Sequence, residues 1–230
     1  MTKAADKIIV ALDVATKEKA LDLVEELRDQ ISFFKIGLQL YTAEGPEIVR
    51  AVLSAGAKVW LDIKLHDIPN TVARAVESAN NLGVHMLTIH LSGGSEMIRA
   101  ATAARANSIS ILGVTVLTSA TEQTLREIGI ADKVGDQVLR LAKLGVEAEI
   151  NGIVASPHEI KMLRKQFGSK IKMVVPGIRL SLSEADDQRR VMTPRQALDA
   201  GADYLVIGRA IIADPNPRQA LTKILDELES

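Results

Sequence analysis

Short β-branched apolar runs alternate along this chain with longer stretches in which apolar residues recur every three or four positions. The short runs lie near 7–12, 33–37, 58–63, 86–90, 110–117, 152–155, 172–175 and 204–207. Several are apolar throughout, which suits strands covered on both faces, as in a parallel sheet. The longer stretches, at 17–30, 46–55, 70–81, 95–106, 134–144, 157–167, 194–200 and 217–228, predict helices. In the first of them Ala20, Leu23, Val24 and Leu27 form a stripe on one face. Gly56, Gly83, Gly145 and Gly201 each follow a periodic segment, where a helix commonly ends. Pro157 after Ser156, and Pro194 after Thr193, fit a first helical position behind a capping residue.

Strand and helix alternating eight times predict an α/β fold with one parallel sheet. An open doubly wound sheet satisfies that pattern. A closed (β/α)8 TIM barrel of eight parallel strands fits better, because 230 residues come close to the barrel's usual size of about 250. No linker or low-complexity tract divides the chain, so a single barrel domain over 1–230 is expected. The longest irregular stretch, about 177–191, has the length of an active-site lid.

Composition narrows the function. Aromatic residues are 3% of the chain, so the core must be built from Ile, Val, Leu and Ala. There is no cysteine, which removes disulfides and thiolate metal sites. The first residues lack the apolar stretch of a signal peptide, and no window approaches the roughly 18 apolar residues of a membrane span. A cytoplasmic location is expected. Lys and Arg number 28 against 29 Asp and Glu, a balance that gives no nucleic-acid surface. Any phosphate bound then belongs to a small molecule.

In a barrel, chemistry collects at the carboxyl ends of the strands. Applied to the sequence alone, that rule selects Asp13, Lys35, Asp62, Lys64, Asp67, His90, Thr118, Arg179, Gly208 and Arg209. The densest cluster is Asp62-Ile63-Lys64-Leu65-His66-Asp67. Asp62 and Lys64 are two apart, so on a strand they share a face. Two charges in a partly dry site persist only when paired. Spacing alone leaves two readings of this D-x-K-x-x-D pattern, a structural ion-pair network and an active site. Gly208-Arg209 likewise reads as a helix start with a solvated arginine or as a phosphate contact.

The continuation resolves the choice. DIKLHDIPNT resembles the signature of orotidine 5′-phosphate decarboxylases, D-x-K-x-x-D-I-P-N-T. IIVALDV, FFKIGLQLY, VTVLTS, VVPGIR and DYLVIGRAI resemble the same family's first, second, fifth, seventh and eighth strand ends, so the likeness covers nearly the whole chain. It implies decarboxylation of orotidine 5′-monophosphate to uridine 5′-monophosphate and CO2, in pyrimidine biosynthesis, without metal or cofactor. By resemblance Lys64 protonates C6 of the pyrimidine, and Asp62 lies beside the departing CO2. Lys35 and Asp67 complete an alternating charged array. Asp13 and Lys35 meet the ribose hydroxyls, and Thr118 meets the substrate after strand five. Arg179, Gln188, Gly208 and Arg209 bind the phosphate. The family is dimeric, which implies a homodimer in which Asp67 and Thr71 reach the neighbouring site.

Two other functions compete. A Mg2+-dependent sugar-phosphate decarboxylase or hexulose-phosphate synthase shares D-x-K-x-x-D, but the I-P-N-T continuation, Gln188 and Arg179 favour the nucleotide enzyme. A non-catalytic phosphate-binding barrel could lose Asp62, Lys64 and Asp67 freely, and all three are present. The remaining conspicuous residues have simpler readings. His85 and His158 lack ligand partners at useful spacing, and Trp60 and Met86 read as core. His66 reads as packing or orientation, and His90 as a subunit contact or support for the site. Ser92-Gly93-Gly94 reads as a helix-entry loop, and Lys161, Arg164 and Lys165 as a solvated helix face.

Overall fold

Each of the eight apolar runs becomes a strand, and the strands close on one another in chain order. The structure is a computed structural model that describes residues 3–106, 109–179 and 192–229. The strands are β1 (Ile8–Ala11), β2 (Phe33–Gly37), β3 (Lys58–Leu65), β4 (Met86–His90), β5 (Ser110–Val114), β6 (Gly152–Val154), β7 (Lys172–Val175) and β8 (Tyr204–Ile207). Every neighbouring pair is parallel, and β8 returns to β1 through Ile8 opposite Leu205. The main helices between them are α1 (Lys17–Leu27), α2 (Leu38–Glu44), α3 (Pro46–Ser54), α4 (Pro69–Leu82), α5 (Gly94–Ala103), α6 (Glu122–Glu127), α7 (Val134–Glu147), α8 (Ile160–Phe167), α9 (Pro194–Ala200), α10 (Arg209–Ile212) and α11 (Pro217–Glu229). This is the closed (β/α)8 barrel, not the open sheet. Among the described residues no helix is long and apolar enough to cross a membrane.

Strand alternation divides the apolar side chains into two cores. Ile9, Ala11, Trp60, Met86, Leu112, Val174 and Val206 form one cluster, with Phe33, Val154 and Tyr204 against it. These fill the barrel interior in the layered manner of the fold. The intervening residues, among them Val10, Phe34, Ile36, Leu61, Leu87, Ile111 and Leu205, face the helices and merge with their buried stripes. In α1 that stripe is the predicted one: Ala20, Leu23, Val24 and Leu27 are all buried. Each buried Val, Leu or Ile side chain contributes about 1.5–3 kcal/mol by leaving water. The inward set matters for function, because continuing it past the strand ends names the residues that face the barrel mouth.

Helix ends follow local chemistry. Gly83 and Gly201 close α4 and α9 in the left-handed conformation that only glycine adopts cheaply. Gly145 does not end a helix. It lies inside α7, where an added Cβ would come 2.4 Å from Ile150 Cδ1 and 3.2 Å from Leu91, so it is a close-packing residue. Thr193 caps α9 by accepting from the Gln196 N–H at 3.3 Å. The 157–167 segment begins as a 3-10 turn, Pro157–Glu159, before becoming α8. The loop reading of Ser92-Gly93-Gly94 holds: a 3-10 turn, Leu91–Gly93, leads into α5.

Arg164 departs from the solvated face expected of it. Its guanidinium turns to the amino-terminal face of the barrel, donates to the carbonyls of Gly201, Gly168 and Ile171, each at 2.8 Å, and pairs with Asp203. Asp203 in turn accepts from the Met173 N–H at 2.8 Å. One arginine therefore ties the ends of α8 and α9 to β7 and β8. Arg164→Ala is expected to lower stability by about 2–3 kcal/mol, since it removes one cation from the partly buried Asp203, which keeps the Met173 N–H and Lys172, and the donor from three carbonyls. Urea denaturation checks this, with kcat unchanged because the contacts lie at the end of the barrel away from its mouth.

Candidate active site

The carboxyl ends of the strands surround a cavity of about 210 Å3. Inward positions along the strands and just past their ends supply its walls: Ala11 in and Asp13 past β1, Lys35 in β2, Trp60, Asp62 and Lys64 in β3, Val114 in and Val116 past β5, and Val206 in and Gly208 past β8. Leu117, Thr118, Val154, Pro176, Gly177, Arg179 and Arg209 complete it. Trp60 is 1% exposed and forms part of the floor, so it is both core, as expected, and cavity wall.

The charged groups form an alternating chain. Lys35 Nζ donates to Asp13 Oδ1 at 3.0 Å and lies 3.7 Å from Asp62 Oδ2. Lys64 Nζ donates to the other Asp62 oxygen at 2.9 Å. Asp62 is 8% exposed and Lys35 9%, so both charges are largely removed from water and are held by each other. Across the cavity lie Arg179 and Arg209. Among the described residues that line the cavity, two carboxylates, Asp13 and Asp62, stand with four cations, Lys35, Lys64, Arg179 and Arg209, a set whose arginines suit an anionic group such as a phosphate.

Lys64 occupies a β-bulge. Pairing runs regularly through Leu61 opposite Leu87, then resumes at Leu65 opposite Ile89. Asp62, Ile63 and Lys64 therefore oppose the single residue Thr88. Lys64 has φ +50°, a left-handed conformation that costs a non-glycine residue about 1–2 kcal/mol. Such bulges re-aim side chains beside active sites.

Two glycines make room. At Gly37 an added Cβ would lie 2.9 Å from Lys35 Nζ and 3.5 Å from Asp13 Oδ1, so the missing side chain is the space the ammonium uses. At Gly208 it would lie 3.2 Å from Asp13 Oδ2 and 3.4 Å from Ala11 Cβ, so the backbone of this loop comes close to β1.

Of the residues singled out in the sequence, Asp13, Lys35, Asp62, Lys64, Thr118, Arg179, Gly208 and Arg209 converge on this one cavity. Arg209 also begins α10, with Gly208 as the residue before it, so the helix-start reading and the cavity reading both hold. Asp67 and Thr71 are exposed and do not line the cavity; Asp67 Oδ1 accepts from the Ile68 N–H at 2.6 Å. Gln188 and most of the expected lid lie outside the described residues. The base of that segment is described: Arg179 N–H donates to the Met192 carbonyl at 3.0 Å and Met192 N–H to that of Gly177 at 3.3 Å.

Thr88, Gly37 and the apolar walls are the residues that sequence reasoning missed. The signal for Thr88 was one hydroxyl at an inward position of an otherwise apolar strand, two residues after Met86. His90 ends β4 with its ring 5.6 Å from that of His66. Burial, reinforced by the neighbouring His66 and Lys64 and partly opposed by Asp62, pushes its pKa down. His85 is held beneath the barrel, its Nδ1 accepting from the Val59 N–H at 3.3 Å, and His158 is exposed.

The family model for the orotidine 5′-phosphate decarboxylase / HUMPS family matches residues 6–224. Proteins named orotidine 5′-phosphate decarboxylase from Carboxydothermus hydrogenoformans and Moorella thermoacetica are each 47% identical to this chain, covering 98% of it and 97% and 93% of their own lengths. A crystal structure of orotidine 5′-phosphate decarboxylase from Lactobacillus acidophilus superposes with a TM-score of 0.86 at 32% identity, covering 98% of this chain and 100% of that one. The corresponding protein from Pyrococcus horikoshii gives 0.79 at 28% identity, with 97% and 99% covered. A barrel mouth that sets an alternating lysine–aspartate chain opposite two arginines, in a sequence matched almost end to end, belongs to the orotidine 5′-phosphate decarboxylase / HUMPS family.

Proposed function

We propose that this protein decarboxylates orotidine 5′-monophosphate to uridine 5′-monophosphate in pyrimidine biosynthesis, with Lys64 donating the proton to C6. The observation that carries it is the Lys35–Asp62–Lys64 chain in the barrel mouth. Breaking the bond from C6 to the carboxylate releases CO2 and leaves the electron pair on C6, where no adjacent carbonyl delocalises it. The Lys64 ammonium, fixed by Asp62 before the reaction, supplies positive charge there without reorganising. It then transfers its proton to C6 and recovers one from solvent. Asp62, beside the departing group, disfavours the substrate carboxylate and favours neutral CO2.

The remaining roles are those the family resemblance implies, and the cavity lining by Asp13, Lys35, Thr118, Arg179, Gly208 and Arg209 supports theirs. Asp13 and Lys35 hold the ribose hydroxyls, and Thr118 contacts the substrate. Arg179, Gly208 and Arg209, together with Gln188, hold the phosphate, in the usual place after strands seven and eight. Binding the phosphate stabilises the substrate at a point remote from C6 and fixes the pyrimidine against Lys64. Asp62 has one amine at each oxygen, at 2.9 and 3.7 Å, so a divalent cation there would meet two positive charges; this supports the metal-free reaction over the Mg2+-dependent one. Asp67 and Thr71 are assigned to the neighbouring site of a homodimer. Exposed Ile68, at 67%, and Leu38, at 64%, are apolar surface of the kind a second subunit covers. The cysteine-free sequence suits a cytoplasmic location.

An ultraviolet assay of orotidine 5′-monophosphate consumption tests the function. Turnover is expected, at a rate unchanged by excess chelator. Absence of turnover refutes the decarboxylase function, and a rate lost on chelation and restored by Mg2+ points to the enediolate chemistry instead.

A further inference from the structure

We propose that Thr88 is a positioning residue, whose hydroxyl holds open the β3 bulge that presents the Lys64 side chain to the cavity. Three residues of β3, Asp62, Ile63 and Lys64, oppose Thr88 alone on β4. Their backbone therefore cannot pair along a regular ladder. The Lys64 N–H donates instead to Thr88 Oγ1 at 3.0 Å. The Thr88 hydroxyl donates to Asp62 Oδ1 at 2.9 Å, the oxygen that also receives Lys64 Nζ at 2.9 Å. Thr88 is fully buried, so no water replaces either bond.

The direction of each bond is forced. A backbone N–H only donates, an ionised carboxylate only accepts, and a hydroxyl does both. Thr88 thus joins the two charged residues through backbone and side chain at once. A small closed circuit results: Lys64 N–H to Thr88, Thr88 to Asp62, and Lys64 Nζ to the same carboxylate oxygen. The left-handed backbone at Lys64 persists only while its surroundings over-determine it, and the buried acceptor for its N–H is one of those constraints. Without the hydroxyl, Lys64 can relax to ordinary strand geometry and its ammonium leaves the inward face. Thr88 lines no part of the cavity, so it acts through Asp62 and Lys64 and not on the substrate.

This role rests on the decarboxylase activity proposed above, and the test separates the two. Thr88→Val keeps the shape and removes the hydroxyl; Thr88→Ser keeps the hydroxyl. The Val variant is expected to lose roughly 10- to 100-fold in kcat with KM changed less than about threefold, the cost of misplacing a reacting group by around 1 Å. The Ser variant is expected to recover most of that loss. A crystal structure of Thr88→Val should show Lys64 out of the positive-φ region, a result that stands whatever the substrate proves to be. Should the Val variant fail to fold, Thr88→Ala against Thr88→Ser makes the same comparison. A Val or Ala variant with kcat within about twofold of wild type, less than the spread of a single ordinary hydrogen bond, overturns the proposal. So does a Ser variant as slow as the variant lacking the hydroxyl, or an unchanged Lys64 backbone.

Discussion

Lys64→Ala is expected to lower kcat for orotidine 5′-monophosphate by roughly 10,000-fold or more, the combined loss of a general acid and of preorganised charge at the developing carbanion. Affinity for uridine 5′-monophosphate should change by less than about tenfold, because phosphate and ribose are held by other residues. The fold should survive. Lys64 lies at the strand end, and Asp62 keeps Lys35 at 3.7 Å and the Thr88 hydroxyl at 2.9 Å. Single-turnover kinetics together with calorimetric binding of the product separate these effects. Near-normal kcat in the variant would remove Lys64 from the chemistry and leave the array as a structural ion-pair network.

Arg209→Ala should act at the far end of the substrate. A charge-assisted arginine–phosphate contact contributes about 1.5–3 kcal/mol, so kcat/KM should fall roughly 10- to 100-fold, mainly through KM. Some kcat should also be lost, because phosphate binding helps to orient the pyrimidine. Orotidine, the same substrate without its phosphate, provides the control. Wild type and variant should process it at the same low rate. If Arg209→Ala slows orotidine as much as the nucleotide, Arg209 acts on something other than the phosphate.

Much of this site was legible in the sequence because barrel geometry is periodic. Once the strands are located, every second residue points inward, and Asp13, Lys35, Asp62, Thr118 and Gly208 fall on the inward parity beyond Ile9, Phe33, Trp60, Leu112 and Val206. The features that escaped break the period. A bulge inserts residues without any compositional mark, so β3 runs to Leu65, not 63, and Lys64 reaches the cavity through a backbone conformation that alternation does not encode. The apolar run after Ser110 continues past residue 114, yet pairing stops there because β6 ends at Val154. Val116, Leu117 and Thr118 are released from the sheet to form cavity wall.

Short helices escaped for a related reason. α2 follows β2 without any intervening turn residue other than Gly37, and its first residue, Leu38, is exposed, which blurs the apolar stripe. α6 is six residues long and is capped by Thr121 and Thr124 in place of a Ser/Thr–Glu pair. The glycine at 145 misled because packing, and not chain reversal, requires it. Arg164 reads as one cation among several on a helix face, and only the tertiary structure reveals the four partners of its guanidinium.

The most direct test of the central claim is a crystal structure with uridine 5′-monophosphate bound. It should place Lys64 Nζ within about 3–3.5 Å of C6, still paired with Asp62, with the phosphate against Arg179 and Arg209. A nucleotide bound with its phosphate between the lysines, or with C6 beyond the reach of Lys64, would contradict it.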